Sequence, residues 1–118
     1  MLNLSTETGG TWFRPGETIA GNASWRLDEE AEAIEVRLFW YTTGKGSQDV
    51  GVVQTRQIYR PERDGNRPFR LAVPRGPYSF SGKLITLAWA IEVVALPSGE
   101  TERLDLVMGP TPVEIELT

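Results

Sequence analysis

Six arginines punctuate the middle of the chain: Arg56, Arg60, Arg63, Arg67, Arg70 and Arg75. Guanidinium groups gathered in this way can fork onto carboxylates or phosphates, so the stripe suggests an anion site or a surface for an acidic partner. Arg56, Arg60, Arg67 and Arg70 are its candidate ligands. The competing reading is structural. Glu62 and Asp64 lie among the arginines, and long Arg stems commonly cover sheet edges. A second charged run, Asp28, Glu29, Glu30, Glu32 and Glu35, offers oxygen ligands. It lacks the glycine and the fixed spacing of a calcium loop and reads as a solvated loop. Gly44-Lys45-Gly46-Ser47 has neither the glycine spacing nor the following helix of a phosphate loop, and reads as a hairpin turn.

Catalysis has little to work with. The 118 residues include no histidine and no cysteine. No Ser-His or Cys-His pair can be assembled, and no thiolate or imidazole metal set. Nor do Asp, Glu, Ser, Tyr and Lys form a pair at a recognisable catalytic spacing, so neither an enzyme activity nor a cofactor nor a metal is expected. The net charge of −4 argues against nucleic acid as a partner. No apolar run is long enough for a transmembrane helix. Met1 to Gly10 carries no secretory pattern. The triplets Asn3-Leu4-Ser5 and Asn22-Ala23-Ser24 are therefore not read as glycosylation sites, and a cytoplasmic location is expected.

The elements that must carry these residues are strands. Apolar residues recur with a period of two: Ile19, Ala23, Trp25 and Leu27; Ile34, Val36, Leu38 and Trp40; Phe69, Leu71 and Val73; Ile85, Leu87, Trp89, Ile91 and Val93; Leu104, Leu106 and Met108; Val113, Ile115 and Leu117. Turn signals separate the runs, notably Pro15-Gly16, Arg75-Gly76-Pro77 and Pro97-Ser98-Gly99. Glu62 to Arg67 reads as an exposed polar loop, and Asp28 to Ala33 as a loop rather than a helix. Residues 1–118 are thus expected to form a single all-β domain, an immunoglobulin-like antiparallel sandwich of about seven to nine strands. The expected core is Ile19, Trp25, Val36, Leu38, Trp40, Leu71, Leu87, Trp89, Ile91, Leu106 and Ile115.

Three passages resemble a known family. Phe13-Arg14-Pro15-Gly16-Glu17-Thr18-Ile19-Ala20-Gly21 resembles the opening of arrestin-like domains, where a Pro-Gly turn leads into a long strand. Glu35 to Trp40 is similar to the next strand of that fold. Phe69 to Pro74, followed by Pro77-Tyr78-Ser79-Phe80-Ser81-Gly82, resembles the passage that precedes a long strand in arrestins. The resemblance implies an arrestin-like sandwich and a non-catalytic scaffold or adaptor role.

Two surfaces stand out for such a role. If strands 34–42 and 84–96 share a sheet, their solvent phase carries Phe39, Tyr41, Leu84, Ala88 and Ala90, an unusually apolar outer face. Val50, Val52 and Val53 favour neither face, which suits an edge strand or a bulge. Either surface would take an unidentified protein partner or a second copy in a homodimer. The alternative function is a small-ligand or carbohydrate-binding sandwich, with Trp12 and Phe13, or Tyr78 and Phe80, as an aromatic platform.

Overall fold

The computed structural model describes residues 1–44, 48–82, 84–112 and 115–116. Every regular element in it is a strand: β1 (Leu2–Thr6), β2 (Trp12–Phe13), β3 (Thr18–Arg26), β4 (Ala33–Gly44), β5 (Val50–Tyr59), β6 (Asp64–Ala72), β7 (Phe80–Ser81), β8 (Ile85–Leu96), β9 (Thr101–Met108) and β10 (Ile115–Glu116). β2, β7 and β10 are two residues each, which leaves seven strands of substantial length. Asp28 to Glu32 forms no helix.

The strands make two sheets. The smaller has the order β1-β3-β6 and is antiparallel. The larger runs β5-β4-β8, and both β7 and β9 pair with the far side of β8. Its spine is β4 against β8, twelve residues in register from Ala33↔Leu96 to Gly44↔Ile85. The short β2 and β10 add in parallel to β9 and β7, a departure from the purely antiparallel expectation. The resulting sandwich, antiparallel in its long strands, has the all-β architecture that the alternation implies.

Alternation explains the core. Ile34, Val36 and Leu38 of β4 face Ile19, Trp25 and Leu71 of the smaller sheet, and Leu87, Trp89, Ile91 and Val93 of β8 complete the layer. Trp89 is buried, and its indole N–H donates to the Pro77 carbonyl at 2.8 Å. Trp25 donates likewise to Glu62 at 2.7 Å. Large rings can be placed in this core because each polar edge finds a carbonyl. Trp40, expected in the core, is only half-buried. It lies toward the end of β4, where its ring covers Gly51 so closely that a side chain there would overlap it. The side chain of Ile115 and the turn residues Lys45, Gly46 and Ser47 lie outside the described residues.

The Pro15-Gly16 turn closes as expected. The Glu17 amide donates to the Arg14 carbonyl at 3.1 Å, and Gly16 has φ +84°, which glycine adopts without strain. The loop expectation fails as well. Glu62 to Arg67 is not a loop, because β6 begins at Asp64 and pairs with β3 from Arg26↔Asp64 onward. Strand pairing there follows the length of β3 and overrides the polar local sequence.

The buried ring supplies a direct test. Trp89→Ala should destabilise the domain by about 3–5 kcal/mol through the lost burial and the cavity left behind. Denaturant unfolding followed by circular dichroism would measure it, and a midpoint equal to wild type would place Trp89 outside the core.

Candidate functional site

The register joins the two surfaces singled out in the sequence. On the outer face of the larger sheet, Val50, Tyr41 and Ala88 form one cross-strand row, and Val52, Phe39 and Ala90 the next. Exposure changes sharply along the rows, from β8 and β4 out to β5. Phe39 and Ala90 are buried, at 8% and 0%, whereas Val50 and Val52 are 65% and 55% exposed. Tyr41 is half-buried. Its ring lies 5.9 Å from that of Phe39 and is roofed by Arg103, whose guanidinium sits 4.9 Å from the ring centre. Leu84 is exposed but lies ahead of β8, outside both rows. The accessible part of this patch is therefore the β5 margin. Among the described residues β5 pairs only with β4, and Val53 is the unmatched residue of a bulge between the Leu38↔Gln54 and Phe39↔Val52 pairs. The extra residue is why the valines follow no simple alternation.

The other half of that face is polar and closed. The Arg37 guanidinium donates to Glu35 Oε1 at 3.0 Å through Nε and pairs with Glu92 at 3.2 Å through Nη1. Gln57 donates to the second Glu35 oxygen at 2.5 Å. Glu35 thus leaves the acidic run. Asp28, Glu29, Glu30 and Glu32 are exposed, while Glu35 is buried on the sheet.

The arginines separate as well. Arg56, Arg67 and Arg70 line one cleft of about 720 Å³ on the flank where β5 and β6, the edges of the two sheets, come alongside. Arg56 shares its face of β5 with Ile58, which packs on the core, and Arg67 shares its face of β6 with Phe69 and Leu71. Both therefore stand on the inward phase of their strands. Arg60 is not with them. It lies in the β5–β6 turn with φ +47°, its amide donating to the Glu32 carbonyl at 2.9 Å.

No family model matches this chain, and no curated protein does. A solved structure does: the sporulation control protein Spo0M of Bacillus subtilis, with a TM-score of 0.67 and 13% sequence identity. The match covers 94% of this chain and 49% of that one, so this chain spans about half its length. At that identity the likeness is one of fold, and it agrees with the arrestin-like sandwich that the family resemblance implies.

The Trp12–Phe13 platform is covered by the protein itself, whereas Tyr78 of the second is exposed. Trp12 stacks under the Arg14 guanidinium at 4.9 Å and donates to the Gly109 carbonyl at 3.0 Å, and Phe13 is buried. Phe80 is half-buried beside the exposed Tyr78. Two features escaped the sequence reading. Gln54 was not singled out, although its parity with Arg56 and Ile58 would have grouped it with the flank. Glu35, Arg37 and Glu92 carried a signal only as opposite charges at solvent-phase positions of neighbouring strands.

The carboxylate network predicts a pH response. The Gln57 amide, and then Arg37, hold the Glu35 carboxyl below its ordinary value of 4.5, against the opposing effect of burial. Because the folded-state pKa is the lower one, this stabilisation is complete above the unfolded value and is lost as pH falls through the folded value. Glu35→Gln should melt below wild type at neutral pH, and the gap should narrow on acidification to about pH 3. Melting curves across that range would reveal a constant gap if Glu35 carried no such linkage.

Proposed function

We propose that this domain is a non-catalytic interaction module that takes up an extended segment of a partner protein along the Val50–Val53 stretch of β5. The exposed, one-sided β5 margin carries the reading: residues 50–53 combine an unpaired strand edge with three exposed valines. Strand addition draws affinity from main-chain hydrogen bonds and specificity from alternate side chains. Val50 and Val52 are such alternate positions, flanked by the aromatic pair Tyr41 and Phe39. An exposed apolar edge is a liability that folded domains normally blunt, so its retention favours a binding role. The fold likeness to a sporulation control protein supports a regulatory rather than a catalytic setting. A second copy pairing edge to edge is the alternative occupant of the same strand.

Lysines at both positions block an edge while leaving a solvent-facing strand intact. The double variant Val50→Lys/Val52→Lys should melt like wild type and lose partner capture. Amide hydrogen exchange on the wild-type complex should show new protection at residues 50–53. Protection confined to another surface would overturn the proposal, and a mass of twice 13.1 kDa in light scattering, abolished by the same lysines, would assign the edge to a second copy.

A further inference from the structure

We infer that the flank between β5 and β6 is a binding site for a small amphiphilic anion, a single carboxylate or phosphate carried on an aliphatic body. The inference is independent of the strand-edge reading, because it concerns residues 54–58 and 67–70 rather than 50–53.

The flank is bridged at one end and open beside it. The Gln54 side-chain oxygen accepts the Ala72 amide at 2.6 Å, and Arg56 Nε donates to the Arg70 carbonyl at 3.3 Å. These side chains of β5 satisfy the outward backbone groups of β6 and draw the two edges together. The β5–β6 turn, residues 60–63, closes the far end. Between the two closures lies the cleft of about 720 Å³. That volume falls within the range of about 300–1,000 Å³ usual for small-molecule sites.

Its chemistry is divided. Phe69, Ile58, Val36 and Ala23 form an apolar lining on the core side. Arg56 and Arg67 approach from opposite sheets on the inward phase, and Arg70, on the opposite face of β6, borders the cleft. Among the described residues, the guanidiniums of Arg67 and Arg70 have no hydrogen-bond or ion-pair partner, and Arg56 uses only its Nε on a carbonyl. Glu7 is the single acidic residue of the lining, against three arginines. Fork-shaped donors with free N–H groups select planar or tetrahedral oxyanions. The adjoining apolar lining selects an anion that brings its own hydrocarbon. Inward-pointing charge on an edge strand also discourages edge-to-edge aggregation, and that role needs no ligand. The two accounts differ in what Arg67 does for affinity.

Octanoate and octyl phosphate are suitable probes, with inorganic phosphate and octanol as the head alone and the tail alone. Isothermal titration should show saturable binding of at least one octyl anion at a one-to-one ratio, with octanol and inorganic phosphate at least about tenfold weaker. Preference between octanoate and octyl phosphate separates a carboxylate from a phosphate ligand. Arg67→Gln, at an exposed position, should keep the wild-type melting temperature and weaken binding by about tenfold or more, the usual effect of removing a charge-assisted hydrogen bond. Arg67→Lys should recover part of the loss. Binding unchanged in Arg67→Gln, or absent for both octyl anions at millimolar concentration, would overturn the inference and leave Arg67 as an edge-protecting charge.

Discussion

Twelve consecutive cross-strand pairs between β4 and β8 are the constraint on which the remaining structure depends. Side chains alternate along both strands, so one register assigns Ile34, Val36, Leu38, Leu87, Trp89, Ile91 and Val93 to the core together. A slip of one residue in either strand would move that strand's share of them to the outer face and bring Glu92, or Glu35 and Arg37, inward. The charged network on that outer face reinforces the same register, because Arg37 meets Glu92 only when the two stand opposite each other. Apolar and polar sides of the pair thus specify one alignment.

The unequal widths of the sheets produce the flank. β5 extends the larger sheet beyond β4, while the smaller sheet ends at β6. The two edges meet without pairing, and their main-chain groups need partners from elsewhere. Gln54 and Arg56 supply them over part of the seam. Where they stop, the inward phases of β5 and β6 run out into the open, which lets arginines occupy positions that a closed sandwich would reserve for apolar residues. The arginine cleft is in this sense a consequence of topology.

Much of the framework was legible in the residues. Alternation in Ile34 to Trp40 and in Ile85 to Val93 located the two central strands, and Pro15-Gly16 located a turn whose hydrogen bond is present. What alternation could not supply was the behaviour of the edges. Glu62 to Arg67 looked like a loop because an edge strand needs few apolar residues, and its pairing with β3 is a main-chain property that composition does not report. Arg67 has the same parity as Phe69, Leu71 and Val73, so its inward phase was readable once the strand was extended back to Asp64. The bulge at Val53 defeated the reading of β5 in a different way. A single unmatched residue shifts the parity of everything beyond it, so Val50 and Val52 fall on the face opposite to Gln54 and Arg56.

That shift has a consequence for how the β5 edge is used. On one side of the bulge the strand turns polar side chains toward β6 and fastens the flank. On the other side it turns valines outward and leaves its edge unpaired. With Val53 paired to Phe39 in a regular ladder the two stretches would share a phase, and Val50 and Val52 would lie on the same face as Arg56. The extra residue therefore divides one strand into a segment that holds the sandwich together and a segment free to meet another chain. The division needs no hinge or second domain, because a β-bulge is a fixed feature of the ladder. A ligand held by Arg56 and Arg67 would lie three to six residues along β5 from the free segment.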